Sequence, residues 1–169
     1  MGSTQLASRP RILGYLGRAL SLEFSAVQQY MTQAQLTESW GMRDVSGQLR
    51  REVVEEMQHA ERIVAYMLSL GFAPNASQLR PVRAGRTLIE LLAEDYRLEA
   101  EIIHLYRDAS RYCDRVGEHD CQVFFQQLLT EEQAHADALV RWIQDLRGGE
   151  EASVPSGADG SQRRVLSDG

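Results

Sequence analysis

The tetrapeptides Glu56-Met57-Gln58-His59 and Glu132-Gln133-Ala134-His135 are two copies of one Glu-x-x-His pattern, placed 76 residues apart in a chain of 169 residues. Each copy follows a lone glutamate by 33 residues, Glu23 in the first half and Glu99 in the second. Side chains three residues apart on a helix share one face, so each Glu-x-x-His can hold a metal ion from one side. Two such pairs and two lone glutamates form the ligand set of a carboxylate-bridged dinuclear iron site inside a four-helix bundle.

The chemistry of these side chains favours a metal site over a structural role. Carboxylate and imidazole groups suit iron, and a pair of ions needs about six protein ligands. Four carboxylates buried together without a metal would repel one another, whereas two divalent ions would neutralise them. A single Glu-x-x-His is common as a surface pair, but solvated faces give no reason for two copies at equal spacing. The predicted ligands, for two irons or an iron and manganese pair, are Glu23, Glu56, His59, Glu99, Glu132 and His135.

A tyrosine follows each lone glutamate by seven residues, Tyr30 in the first half and Tyr106 in the second. Each therefore lies two helix turns further along the same face. Two interpretations remain open: a hydroxyl near the metals that donates a hydrogen bond or an electron, with Tyr30 favoured, or a core tyrosine with a satisfied hydroxyl. The imidazoles also need an acceptor for their second N–H, and Asp95 or the tyrosines are the candidates.

Hydrophobic periodicity predicts an all-α fold of four helices. Pro10 suits a first turn, Asp44 and Thr87 are candidate N-caps, and Gly71 is a helix stop. Two helical hairpins joined by a long crossover have the topology of ferritin-like four-helix bundles. The expected helices are about 10–39, 44–70, 87–114 and 120–147, with the crossover at 72–86.

The expected domain organisation is an N-terminal arm at 1–9, the bundle at 10–147 and a disordered tail at 148–169. The tail is rich in Gly, Ser and acidic residues and lacks apolar periodicity, so it buries too little surface to order itself.

The composition of the chain limits its possible binding partners and its cellular compartment. The formal net charge of −6 argues against nucleic-acid binding, which needs excess positive charge. The chain has no apolar run of membrane-spanning length and nothing like a secretory signal, so we expect a cytoplasmic protein without a membrane partner. The only cysteines, Cys113 and Cys121, lack a C-x-x-C spacing. We expect buried thiols, with metal binding or redox pairing as alternatives.

In its motifs the chain resembles the bacterioferritins over about residues 10–147. The most specific similarity is Glu-Glu-Met-x-His, because it joins the metal pair to a methionine that ligates haem at a two-fold subunit interface in that family. The similar stretches, in chain order, are Leu22-Glu-Phe-Ser-Ala-Val-Gln-Gln-Tyr30, Ser39-Trp-Gly-Met42, Glu55-Glu-Met-Gln-His-Ala-Glu61, Gly71-Phe-Ala-Pro-Asn75 and Glu131-Glu-Gln-Ala-His135.

The resemblance implies that the six predicted ligands form a ferroxidase centre with Glu56 and Glu132 bridging. It also implies that Met57 ligates haem b, one per dimer. Geometry alone says only that Met57 points about 100° away from Glu56, which leaves it as core filler, an interface residue or a ligand. Bacterioferritins continue into a short fifth helix that lines an axis of a 24-subunit shell, whereas here Gly148 and a polar tail follow. A dimer, a smaller shell or an altered cage are therefore all open.

The resulting hypothesis is an iron storage and detoxification protein that oxidises Fe(II) with dioxygen or hydrogen peroxide. It implies a homo-oligomer built from two-fold dimers, and a ferredoxin-type protein as reductant. One alternative is a rubrerythrin-like oxidase or peroxidase that stores no mineral, although two cysteines cannot form a rubredoxin module. Another is an encapsulated ferritin-like cargo protein that docks through its tail.

Overall fold

Four helices make up the regular structure of the described residues, which are 2–75 and 78–152 in this computed structural model. They are α1 (Gly2–Ser39), α2 (Arg43–Ser69), α3 (Leu88–Val116) and α4 (His119–Ala152). Helix α1 packs against α2, α3 packs against α4, and α1 also contacts α3. The predicted all-α bundle with a long connection between its second and third helices is confirmed.

The helix ends follow local sequence signals at most boundaries. Gly71 and Gly117 have φ of 81° and 76°, the left-handed conformation that glycine adopts without a steric penalty, and they end α2 and α3. The Thr87 side chain accepts a hydrogen bond from the Glu90 backbone N–H, as predicted for an N-cap. Asp44 is not the cap of α2. The N-cap position is Met42, and Asp44 lies in the first turn, where a negative charge still complements the helix dipole.

Helix α1 begins well before the predicted boundary, so the assignment of residues 1–9 to a separate arm is corrected. Proline has a helical φ and lacks only its N–H, so α1 continues through Pro10 with one backbone hydrogen bond fewer. Ser8 is buried, and its hydroxyl donates to Glu118 Oε1 at 3.2 Å beside the start of α4. This early turn is thus packed against the second hairpin.

Helix α4 also exceeds its predicted length. It passes Arg147 and continues through Gly148 and Gly149 to Ala152, which corrects the boundary of the predicted tail. Glycine lowers helix propensity by about 1 kcal/mol but does not forbid the conformation. The rest of the predicted tail, 153–169, lies outside the described residues. Within the described residues, α4 is the last helix. No described helix is long and apolar enough to span a bilayer.

The crossover is held along α1 by polar side chains. The backbone N–H of Arg80 donates to Ser25 Oγ at 2.8 Å, and that of Arg83 donates to Gln29 Oε1 at 3.3 Å. At its end, the crossover passes close to the first turn of α3, and a Cβ on Gly85 would lie 2.9 Å from the backbone nitrogen of Leu91. These contacts fix the second hairpin relative to the first.

Candidate metal centre

Each helix contributes one glutamate to the middle of the bundle. Glu23 comes from α1, Glu56 from α2, Glu99 from α3 and Glu132 from α4, and each is 0% exposed. A carboxylate is almost never buried so completely unless a cation or hydrogen bonds compensate it. The structure therefore brings together the four glutamates that the sequence spacing singled out.

The two predicted histidines lie side by side next to these carboxylates, with ring centroids 5.6 Å apart. Nδ1 of His59 lies 2.8 Å from Glu132 Oε1 and 3.3 Å from Glu56 Oε2. Nδ1 of His135 lies 3.2 Å from Glu56 Oε1 and 3.4 Å from Glu132 Oε2. Both Nδ1 atoms thus face the same two carboxylates.

The six side chains form two overlapping groups, and within each group the candidate ligand atoms lie within 4.8 Å of one another. Glu56 and Glu132 belong to both groups, which is the position that a bridging carboxylate requires. Each group offers three carboxylates and one imidazole, a donor set suited to ferrous iron or manganese. The first group is Glu23, Glu56, His59 and Glu132, and the second is Glu56, Glu99, Glu132 and His135.

Several polar atoms of this cluster have no hydrogen-bond partner in the described part of the chain. Buried polar atoms are normally paired, so unpaired atoms on neighbouring carboxylates need a compensating cation. A pair of divalent ions fits this arrangement. Apart from the ion-pair contacts with the imidazoles given above, the atoms without a hydrogen bond are Glu23 Oε2, Glu56 Oε1, Glu99 Oε2, both carboxylate oxygens of Glu132, and His135 Nδ1.

Without a metal, the histidines carry the compensating charge. Burial lowers the pKa of His135, but its ion pairs with Glu132 and Glu56 outweigh burial and raise the pKa to about 11. Burial raises the pKa of Glu132, but its ion pairs with His135 and His59 lower the pKa to about 2. Burial, reinforced by the neighbouring carboxylates, raises the pKa of Glu23 and of Glu99 well above the usual range. Metal binding must therefore displace protons from the imidazoles.

Each tyrosine contacts the lone glutamate of the other half. The hydroxyl of Tyr30 donates to Glu99 Oε1 at 2.6 Å, and the hydroxyl of Tyr106 donates to Glu23 Oε1. Both tyrosines are buried, at 1% and 0% exposed. Tyr30 was the favoured candidate for a hydroxyl near the metals, whereas the structure gives the two tyrosines equivalent positions, and each fixes one carboxylate across the bundle.

Two further glutamates, which were not among the predicted site residues, orient the imidazoles. Nε2 of His59 lies 3.0 Å from Glu131 Oε2, and Nε2 of His135 lies 2.8 Å from Glu55 Oε2. A carboxylate on the second nitrogen of an imidazole fixes the ring orientation and increases its basicity. The sequence carried a signal, because a second glutamate precedes the Glu of each Glu-x-x-His.

Asp95, the candidate acceptor for an imidazole N–H, has a different partner. Its Oδ1 accepts a hydrogen bond from Gln29 Nε2 at 2.8 Å, and it is 1% exposed. Burial raises the pKa of Asp95 to about 7, although the bond from Gln29 opposes this shift. The prediction for Asp95 is therefore wrong, because this side chain lies in the α1–α3 contact and not beside either histidine.

We expect Asp95→Asn to stabilise the metal-free protein at alkaline pH. An acid whose folded pKa is raised contributes most stability below its unfolded pKa, and this contribution is lost as the pH rises through the folded value. The free energy of unfolding of the variant should rise by about 3 kcal/mol relative to that of wild type between about pH 5 and pH 7. Above pH 7 the difference should stay constant. Thermal unfolding at several pH values measures this gap, with the exposed Asp137→Asn as control. A gap independent of pH would contradict the assignment.

Met57 lies outside the metal cluster. It follows Glu56 on α2, but its side chain is 38% exposed on the surface of the bundle. Val54, one turn earlier on the same helix, is 56% exposed, and Met31 on α1 is 49% exposed. Apolar side chains of this size at the surface are candidates for a subunit interface.

Comparison with known proteins gives consistent matches. The family model described as the ferritin-like domain matches residues 13–148. The bacterioferritin of Rhodobacter capsulatus is 36% identical over 129 residues, covering 76% of this chain and 80% of that protein. The bacterioferritin of Brucella melitensis is 30% identical over 134 residues, covering 79% and 83%.

A solved structure of Rhodobacter capsulatus bacterioferritin matches with a TM-score of 0.77 and 36% sequence identity. The match covers 80% of this chain and 84% of that one. That structure is described as having a metal-free dinuclear site and haem iron in a crystallographic special position.

Proposed function

Because the chain belongs to the bacterioferritin family of ferritin-like proteins, we propose that it binds two ferrous ions per subunit, oxidises them with dioxygen or hydrogen peroxide, and stores the ferric product. The observation that carries this proposal is the pair of ligand groups that share Glu56 and Glu132. A shared pair of carboxylates holds two substrate ions close together, so that both can give electrons to one oxidant molecule.

Each side chain of the centre has a distinct role in this proposal. Glu56 and Glu132 bridge the ions, while Glu23 and Glu99 each bind one ion from the side. The tyrosine hydroxyls hold one oxygen of each terminal carboxylate, which leaves the unpaired oxygen to bind metal. His59 and His135 complete the two groups through Nδ1, with Glu131 and Glu55 fixing their rings.

Anaerobic titration with ferrous iron, followed by air, tests the proposal. We expect saturation at two ferrous ions per subunit and rapid ferric absorbance once dioxygen is admitted. Further additions should then build a mineral inside a large assembly, which size-exclusion chromatography detects. Saturation at one ion, or no oxidation faster than in buffer, would contradict the dinuclear ferroxidase. Two ions oxidised without any mineral would instead indicate an oxidase that does not store iron.

We also propose that Met57 and its copy in a second subunit bind one haem b on a two-fold axis. The exposed position of Met57, next to Val54 on the surface of α2, supports such an interface. Two thioether ligands leave no open position on the haem iron, so a haem held in this way suits electron transfer, with a ferredoxin-type protein as reductant.

Met57→Leu is expected to abolish haem binding, because leucine keeps the apolar volume and removes the thioether sulfur that each subunit would contribute. The haem absorbance of the purified variant should fall to the baseline, while its initial rate of ferrous oxidation changes less than twofold. Met31→Leu is the matched control, since Met31 is also an exposed methionine. Haem retained by Met57→Leu at the wild-type level would rule out this ligand.

A further inference from the structure

Two thiols meet at the tip of the second hairpin. Cys113 lies in the last turn of α3 and Cys121 in the first turn of α4, and their Sγ atoms are 3.0 Å apart. Both are free thiols. A disulfide bond is about 2.05 Å long, so a shift of about 1 Å brings the sulfurs to bonding distance. The two sulfurs are thus placed to form a disulfide.

Burial restricts how this pair can be oxidised. Cys113 is 0% exposed and Cys121 is 3% exposed, so an oxidant in solution has little direct access to either sulfur. Tyr66, whose ring is stacked on Phe124 at 4.3 Å, lies beside Cys121. An electron acceptor inside the protein is the more accessible oxidant.

A short line of aromatic side chains connects the thiols to the metal centre. Cys121 and Phe125 are four residues apart on α4 and therefore neighbours on one helix face. The Phe125 ring packs against the Tyr106 ring with centroids 5.8 Å apart, within the usual range for aromatic pairs. The hydroxyl of Tyr106 donates to Glu23, one of the proposed ligands. All these side chains are buried.

We propose that Cys113 and Cys121 form an internal two-electron donor to the oxidation reaction at the dinuclear centre, with Phe125 and Tyr106 lying on the electron path. This inference rests on the proposed ferroxidase function. The two thiols lose two protons and two electrons as the S–S bond forms. Two ferrous ions supply two more electrons as they become ferric. Dioxygen accepts the four electrons and four protons, two of them from solvent, its O–O bond breaks, and two water molecules leave.

A single turnover tests the proposal on the full-length protein. Reduced protein receives two ferrous ions per subunit without oxygen and then a pulse of air. Free thiols are counted by alkylation and mass spectrometry, and released hydrogen peroxide by a colour assay. We expect wild type to lose both thiols as an intramolecular disulfide and to release at least fivefold less peroxide than Cys113→Ser. Iron oxidation with both thiols intact would overturn the proposal and leave the ferroxidase function standing.

Variants of the aromatic line test the route. Phe125→Leu should slow thiol loss at least tenfold, while Phe124→Leu, the same change on the neighbouring residue, should not. Tyr106→Phe keeps the ring and removes only the hydroxyl that contacts Glu23, so it provides a second test if Phe125→Leu does not fold. Equal rates of thiol loss in all these variants, or full suppression by catalase, would show oxidation by free peroxide and overturn the proposal.

A metal-free measurement separates the thiol chemistry from the iron chemistry. Prolonged incubation with diamide, a small thiol oxidant that reaches buried sulfurs when the hairpin opens transiently, should convert metal-free wild type to the same intramolecular disulfide, detected as a loss of two hydrogen atoms in the intact mass. Absence of the disulfide under conditions in which iodoacetamide alkylates both thiols of the metal-free protein would overturn the donor role. Absence of any ferrous oxidation in a protein that does form the disulfide would overturn the proposed function, and with it this inference.

Discussion

Glu56→Gln should reduce the initial rate of ferrous oxidation at least 1000-fold, a loss of about 4 kcal/mol of transition-state stabilisation. Glu56 belongs to both ligand groups, so one substitution weakens both ion sites at once. Glutamine keeps the shape of the side chain but has no negative charge and only one oxygen atom that can bind a metal ion. Stopped-flow absorbance after mixing the anaerobic iron-loaded protein with dioxygen measures the rate.

Glu61→Gln is the matched control for this substitution, because Glu61 lies on the same helix with an exposed side chain. It should oxidise iron at the wild-type rate. Circular dichroism of metal-free Glu56→Gln shows whether the variant is folded. A variant that folds and oxidises iron within tenfold of wild type would contradict the role of Glu56.

Loading with Mn²⁺, a redox-stable substitute for ferrous iron, should raise the midpoint of thermal unfolding by about 15 to 30 °C. An ion present at 1,000 times its dissociation constant stabilises the folded state by about 4 kcal/mol, and the centre holds two. For a chain of this length, each kcal/mol shifts the midpoint by about 2 to 4 °C. Differential scanning calorimetry of the metal-free and loaded protein measures the shift.

A double variant, Glu56→Gln with Glu132→Gln, provides the comparison, because both shared carboxylates are then neutral. Its midpoint of thermal unfolding should rise by less than about 5 °C with Mn²⁺, because a weakly bound ion stabilises the folded state only slightly. The shift in wild type should also shrink as the pH falls, because protons compete with the metal for the imidazoles. An equal shift in wild type and double variant would place the stabilising ions elsewhere.

The fold was predictable where the signals are local. Thr87 and Gly71 mark helix ends through the conformation and hydrogen bonds of one or two residues. The early start of α1 and the late end of α4 were not predictable, because Pro10 and Gly148 are each compatible with both a helix boundary and a helix interior. Which alternative is adopted depends on packing, such as the contact of Ser8 with Glu118, and not on the local sequence.

The spacing of the glutamates and histidines also predicted which side chains the structure brings together, because a fixed offset on a helix fixes the face. Hydrogen-bond partners on different helices were harder to predict from the sequence. Whether Tyr30 bonds Glu23 or Glu99, and which carboxylate meets the second nitrogen of His59, depends on how the helices rotate against one another. Sequence periodicity carries no measure of that rotation, although the paired glutamates at 55–56 and 131–132 hinted at the result.

The exchange of tyrosine partners between the hairpins has a consequence for folding kinetics. Tyr30 and Glu99 are 69 residues apart in sequence, and Tyr106 and Glu23 are 83 apart. We expect contacts between residues so far apart in sequence to form late, after each hairpin has closed on its own. Bonds absent from the folding transition state act mainly on the unfolding rate. A bound metal should therefore hardly accelerate refolding and should instead prolong the lifetime of the native chain, so the centre protects an already folded subunit and does not template its folding.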